Sequence, residues 1–362
     1  MRRLLAPLLA LALSAPAFAA DEPPRAQFEG KVDVHEVLLD VLVTDRSGNV
    51  IVGLGPNDFR VTEDGKPVEL TGITFYSNRR FLGSKEEAGS QGIAAEVTPE
   101  NRYFILFFDD MRKLSLDAPE LLRQQISAGQ KAEEWVDHLL ANDWVAVASY
   151  DRKLAIQTDF TRDHERLKDA IRSAASGRDP ETQWPSRIGD PRKGPTLFAR
   201  LPRGNALRDA TTTIYDGLSL LAKAAGPIVG RKNLLLFTIG FGEINAFRQY
   251  VPDVRYYPGM MQALNDNNVA AYTIDLTPAG TQHTLASAMN QLAADTGGTY
   301  LFNFTSFSTP LAKVSEENNG YYLLSYKTER PAGAKGYQKV RVKAANPEFK
   351  VKAREGYLYG ET

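Results

Sequence analysis

The sequence has no cysteine. That excludes disulfides, thiolate nucleophiles, thiolate metal ligands and lipid attachment at a cysteine. Histidine is scarce too: His35, His138, His164 and His283 are scattered and share no metal-ligand spacing. Neither sign of charge is in excess, with 43 Lys+Arg against 44 Asp+Glu and a net charge of -1. A polyanion as main partner therefore has no electrostatic basis, and no nucleic-acid partner is expected. Catalytic signatures are also missing. No Gly-x-Ser-x-Gly elbow occurs, and Thr238-Ile239-Gly240-Phe241-Gly242-Glu243 lacks both the P-loop lysine and a third glycine. Asp275 and Glu243 fall near strand ends, where structural carboxylates are as common as catalytic ones. The reading is of a protein that is not an enzyme.

The first twenty residues carry a positive signal. Met1-Arg2-Arg3 is a basic head, Leu4 to Leu13 is almost wholly apolar, and Ala17-Phe18-Ala19 puts small residues where a signal peptidase needs them. The run is shorter than the roughly 20 residues that span a bilayer. Residues 1–20 read as a signal peptide cut after Ala19 or Ala20, so the protein is expected to be exported to the periplasm or the exterior. No later segment is apolar enough for membrane insertion.

Hydrophobic content of 43% and charged content of 24% permit an ordinary packed core. Residues 31–83 read as strands and turns, with Val37, Leu39, Val41 and Val43 in one phase and Val32 and Val34 in the other. That shift predicts a bulge near His35-Glu36. Residues 84–100 read as a linker. Residues 319–359 return to strands, from Tyr321 to Tyr326, Tyr337 to Ala344 and Phe349 to Arg354. About four strands at the front and three at the back suggest an immunoglobulin-like sandwich closed by both ends of the chain. Its last strands alternate basic residues (Lys339, Arg341, Lys343, Lys350, Lys352, Arg354) with apolar ones, as a solvated face with a protected edge does.

Between them, residues 101–318 change period. Tyr103 to Phe108 is a continuous apolar run closed by Asp109-Asp110, as for a strand buried on both faces. A capping pattern at Asp117 and Glu120 precedes apolar residues at helical spacing, including Leu122, Ile126, Gly129, Ala132 and Val136. Strands at 144–150 and 154–160, helices at 163–175 and 206–225, then a strand, helix, strand, helix and strand to Phe304 predict a doubly wound, mostly parallel α/β sheet. The long loop 176–205 interrupts it, with five prolines, six basic and three acidic residues, plus Trp184 and Phe198.

Several stretches resemble one family. VLVTDRSGNVIVGLGPNDFRVTEDGKPVELTGITFY, TTTIYDGLSLLAKAAGPIVGRKNLLLFTIGFGE, LAADTGGTYL, GYYLLSYKT and KVRVKAANPEFKVKAREGYLYG resemble, in this order, segments of the bacterial von Willebrand factor A-related domain family. The resemblance implies an A-type α/β domain with a metal-ion-dependent adhesion site at the C-terminal edge of its sheet. That site takes Asp-x-Ser-x-Ser from the first loop, a threonine from the second and an aspartate from the third. Mg²⁺ there wants about six oxygens.

This chain departs from the pattern. Its first loop is Asp109-Asp110-Met111-Arg112-Lys113-Leu114-Ser115; counted from Asp109, Met111 and Lys113 stand at the serine positions, and counted from Asp110, Arg112 and Leu114 do. Thr212 matches the threonine, but Ile239 stands where the family has aspartate. A thioether or alkyl chain is no ligand for a hard cation. The expectation is no cofactor; any Mg²⁺ would fall to Asp109, Asp110, Ser115 and Thr212. Two alternatives remain for the carboxylates. Arg112 or Lys113 replaces the cation and still receives a partner's carboxylate, arginine bidentately. Otherwise Asp109 and Asp110 bond neighbouring groups and the basic side chains lie in water. By the family's order, loop 176–205 leads into the helix bearing Thr212 and is expected at the same rim. Asp109, Asp110, Arg112, Lys113, Thr212, Trp184 and Phe198 are thus the candidates for binding a protein or peptide in an adhesion or scaffold module. The alternatives are a metal-dependent hydrolase or phosphoesterase at the same edge, or a structural subunit of an envelope assembly.

Overall fold

A computed structural model describes residues 32–77, 101–110, 119–177, 194–244, 250–251, 253–281, 285–331 and 333–360. The expected signal peptide and linker, Arg112, Lys113, Ser115 and Trp184 lie outside them. Along the chain come β1 (Val32–Thr44), β2 (Phe59–Glu63), β3 (Lys66–Val68), β4 (Leu70–Ser77), β5 (Arg102–Asp109), α1 (Pro119–Val136), β6 (Asp143–Tyr150), β7 (Leu154–Thr161) and α2 (His164–Ala175). Next are α3 (Asn205–Asp209), α4 (Ile214–Ala225), β8 (Lys232–Thr238), the short pair β9 (Glu243–Ile244) and β10 (Tyr250–Val251), α5 (Tyr257–Asp266), β11 (Val269–Asp275), α6 (Ala286–Thr296) and β12 (Tyr300–Leu301). The chain closes with α7 (Ser308–Glu317), β13 (Gly320–Pro331), β14 (Gly336–Ala344), β15 (Lys350–Lys352) and β16 (Gly356–Tyr359).

The central sheet has the order β12-β11-β8-β5-β6-β7. All its pairs are parallel except β6–β7, a hairpin turned at Asp151-Arg152-Lys153. Every residue of β5, β8 and β11 is buried, as helices on both faces require. Tyr103, Ile105 and Phe107 pack on one helical layer with α4 and α5; Phe104, Leu106 and Phe108 pack on the other with α1, α2 and α7. Gly129 lets α1 approach α2, since a Cβ there would stand 2.3 Å from that of Ala175.

Both ends of the chain build two further antiparallel sheets, β15-β1-β13-β4 and β16-β14-β2-β3. They share one core of Val37, Leu39, Val41 and Val43 with Phe59, Val61, Tyr322, Leu324, Tyr326, Val340 and Tyr357. The strands number four from each end rather than four and three, because residues 349–359 divide into β15 and β16. The bulge expected near His35-Glu36 is absent. β1 pairs with β13 in unbroken register from Val32↔Pro331 to Val41↔Tyr322, and Val34 simply faces solvent beside Leu38.

Three further expectations are corrected. The helix expected over 206–225 is two, α3 and α4, parted by a turn that buries Thr211 and ends at Thr213, the N-cap of α4 in a capping box with Asp216. Gly129, Ala132 and Val136 of α1 face inward as expected, but Ile126 is exposed and Gln125 is buried in its place. Helix α7, whose Pro310, Leu311, Val314 and Glu317 are buried, was not expected at all; it has no side-chain N-cap and carries a proline in its first turn.

The two-sheet body is fastened to the N-terminal ends of the central strands. Lys352 Nζ donates to Glu317 at 2.5 Å and to Thr299 at 2.9 Å. Arg354 donates to the carbonyls of Asn265 and Leu38 at 3.1 and 2.6 Å. Nearby Lys232 is 2% exposed, donates to Ile228 O at 2.9 Å, and is pushed down to about 8 by burial, against the pull of Asp40. A lysine whose folded pKa is depressed costs stability while protonated, and that cost fades as pH rises above the folded value toward 10.5. Between about pH 8 and 10 the wild-type protein is therefore expected to gain stability relative to Lys232→Met. Urea unfolding of both proteins across that range measures the difference; a flat difference would contradict the assignment.

Candidate functional site

β5 and β8 are neighbours at the centre of the sheet, and the chain leaves β5 toward β6 on one side before returning to β8 on the other. Ligands of open α/β sheets bind at this reversal, outside the carboxyl ends of the strands. The residues there are Asp109, last in β5, and Thr238, last in β8. Both are buried, and the Thr238 hydroxyl donates to Asp109 Oδ2 at 2.8 Å. Gly240 N–H in turn donates to the Thr238 hydroxyl at 2.9 Å. Gly240 holds φ at +96°, and a Cβ would stand 2.9 Å from that of Leu285, so only glycine fits this third loop. Ile239 packs its alkyl chain against the α1–α2–α7 core.

Asp110 is equally buried. Its N–H donates to Tyr150 O at 3.0 Å, and Gln125 reaches its Oδ1 at 3.4 Å while also bonding Ala175 O at 2.8 Å. Tyr150 ties the second loop to the first by donating to Thr212 O at 3.0 Å. Burial, then the Asp109 charge, raises its phenol above the usual range, so it stays a donor. The three consecutive threonines have three roles. Thr211 is interior, accepting from Leu154 N and donating to Leu207 O; Thr213 caps α4; Thr212 alone turns its side chain outward.

Asp109, Asp110 and Thr212 are therefore brought together on one edge. Phe198 is not. Asp159 accepts from the Thr196 hydroxyl at 2.5 Å and from Leu197 N at 2.9 Å, and Gly194 abuts the Trp144 ring at the start of β6. This pins residues 194–198 to the opposite end of the β6–β7 edge, where Phe198 is half-buried against the core. The expectation that residues 194–198 border the Asp109 rim is corrected: family order fixes where a loop ends, not the path it takes. Asp159→Ala is expected to cost about 1–3 kcal/mol through the unpaired loop donors and to speed tryptic cleavage after Arg200 or Arg203. Unchanged cleavage would mean the loop is held otherwise.

Sequence reasoning missed an aromatic ridge on the Asp109 edge. Tyr300 donates to Asp275 Oδ2 at 2.6 Å and stacks on Phe302 with centroids 4.8 Å apart; Phe302 is 58% exposed. The alternation in Thr299-Tyr300-Leu301-Phe302 was the available signal. Among the described residues no three His, Cys, Asp or Glu side chains converge as a metal-ligand group.

Numbered along the chain, the central strands run 3-2-1-4-5-6, a doubly wound α/β sheet with one antiparallel edge. No protein-family model matches the sequence, and no curated protein is significantly similar to it. Solved structures it is similar to include proximal thread matrix protein 1 from the mussel byssus, at 16% identity and TM-score 0.35 over 59% of this chain. The chain spans 46% of that protein's length. The von Willebrand factor domain of the type V pilus tip protein Mfa5 from Porphyromonas gingivalis matches at 11% identity and TM-score 0.38, over 60% of this chain and 95% of that one. The ArnB paralog VWA2 from Sulfolobus acidocaldarius matches at 10% and 0.35, over 91% and 76%. No described helix is long and apolar enough to cross a membrane.

Proposed function

We propose that this is an exported, non-catalytic recognition module whose A-type domain binds a protein partner at its Asp109–Thr212 edge without a divalent cation. The observation that carries this reading is the Asp109–Thr238 hydrogen bond across the strand reversal, which ties the first-loop carboxylate to a neutral hydroxyl at the place where ligands of such sheets dock. The remaining donor set does not fit Mg²⁺: the serine positions hold Met111 and Lys113, or Arg112 and Leu114 when counted from Asp110, and Ile239 offers carbon where a third-loop carboxylate belongs. The edge is a degenerate adhesion site. Outward Thr212 and the Tyr300–Phe302 ridge leave it polar beside aromatic, a composition suited to a protein interface. The two terminal sheets, taken as an immunoglobulin-like collar of residues 31–83 and 319–359, hold residues 101–318 from the other end.

Immobilised mature protein is expected to retain its partner from envelope extract equally with and without EDTA, and to lose it on Thr212→Arg or Phe302→Ala. Retention by both variants would remove this edge from the interface. Calorimetric titration with Mg²⁺ or Mn²⁺ tests the metal reading, and micromolar binding abolished by Asp109→Ala would overturn it.

A further inference from the structure

A cleft of about 540 Å³ lies where the terminal sheets meet the N-terminal ends of β8 and β11. Seven residues of β8, roughly 20 Å at ~3.3 Å each, separate it from the Thr238 edge. Its walls include Leu38, Asp40, Tyr76, Arg231, Tyr321 and Arg354. Clefts at such junctions are common ligand sites, and the volume suits a small ligand.

The polar groups here are incompletely paired. Both carboxylate oxygens of Asp40, Arg354 Nε and Arg330 Nε are closed to solvent and make no well-formed hydrogen bond among the described residues, although the Asn268 side chain lies near enough to Asp40 to pull its carboxyl pKa down. They are four of the six such buried side-chain atoms, and all belong to residues lining this one cleft. Each orphan costs about 1–3 kcal/mol until a partner arrives. They are closed to bulk water as the joint stands, so a ligand reaches them only if side chains at the rim, where Leu38 is half exposed, turn aside.

The orphans define the ligand. Acceptors and donors are present in equal number. An ammonium group would meet Arg231 and Arg354, and an anion would meet Asp40. A neutral ligand whose groups both give and accept satisfies the set, as a hydroxyl does with a single atom, and two adjacent hydroxyls match the two oxygens of a carboxylate. The stacked Tyr76 and Tyr321 rings, 5.3 Å apart, add an apolar aromatic wall for the carbon–hydrogen face of a ring. Burial pushes the Asp40 carboxyl up while Arg231 and Arg354 pull it back, consistent with a charge balanced within the cleft.

We propose that this cleft binds a saccharide, with neighbouring hydroxyls on Asp40 and Arg354 and a sugar face against the Tyr76–Tyr321 wall. Calorimetric titration of the full mature chain with maltose, cellobiose and N,N′-diacetylchitobiose, and with trialanine as a peptide probe, tests it. At least one disaccharide is expected to bind with Kd on the order of 1 mM or tighter. Asp40→Asn, and Leu38→Trp across the exposed mouth, are each expected to weaken it at least about tenfold. Thr212→Arg, at the far edge, is expected to leave it unchanged, so failure here and failure of the partner-binding edge are read separately. Absence of binding by all three disaccharides at about 10 mM overturns the proposal and leaves ordered water as the occupant. Binding that survives both Asp40→Asn and Leu38→Trp overturns it too, and binding of trialanine alone assigns the cleft to peptide.

Discussion

Arg102→Met is expected to destabilise the protein by about 3–5 kcal/mol. Arg102 opens β5, and its guanidinium makes a two-pronged contact with Asp143, Nε to Oδ1 and the terminal nitrogen to Oδ2, both at 2.6 Å. The two side chains are 5% and 0% exposed. The remaining nitrogen donates to Ser315 O at 3.1 Å and Asn319 Oδ1 at 3.3 Å, tying α7 and the turn after it to the foot of the sheet. Methionine fills much of the volume but leaves the Asp143 carboxylate buried, with the Leu140 N–H donating to it in place of the guanidinium pair. The cost is chiefly that of an unpaired internal charge, not of the pair's net worth. Arg102→Met/Asp143→Leu should therefore recover much of the loss. Urea denaturation of the single and double variants decides it; a single-variant loss below about 1 kcal/mol would show that the charge finds water.

Gly298→Ala should cost about 3 kcal/mol through overpacking. A Cβ at Gly298 would stand 2.0 Å from Ala271 O and 2.6 Å from its carbonyl carbon, inside the backbone of β11. Its neighbour Gly297 ends α6 at φ +73°, and a Cβ there would meet Arg354 N at 2.8 Å. One pair of glycines thus lets the helix end approach both the central sheet and the chain between β15 and β16. Gly259→Ala, with nothing within 4 Å of its Cβ, is the control and is expected to be neutral or slightly stabilising. Equal melting temperatures for Gly298→Ala and wild type would contradict the close approach.

Where side-chain period reports burial directly, the sequence was readable. The run Tyr103 to Phe108, the 144–160 hairpin and the helices His164–Ala175 and Tyr257–Asp266 follow from apolar spacing. Misreadings occurred where long-range packing outweighed local pattern. Val34 resembles a core residue but faces water, Gln125 resembles a surface residue but is interior, and α7 is too short and poorly capped to announce itself. At the candidate site, Asp109, Asp110 and Thr212 were recognisable as loop residues. The Thr238 bond to Asp109, however, joins residues 129 apart in sequence, and no local spacing encodes it. The path of loop 176–205 was hidden for the same reason: its anchor is the Asp159 carboxylate on another strand.

The pairing of Val32 with Pro331 and of Val41 with Tyr322 has a consequence for biogenesis. Strands β5 to β12 are contiguous in the chain and can nucleate as they emerge, whereas β1 has no partner until β13 has been synthesised. Until then the alternating Val37–Val43 segment is an unsatisfied strand, open to pairing with another molecule. The N-terminal half is therefore the part of the chain expected to gain most from protection against aggregation before β13 is made.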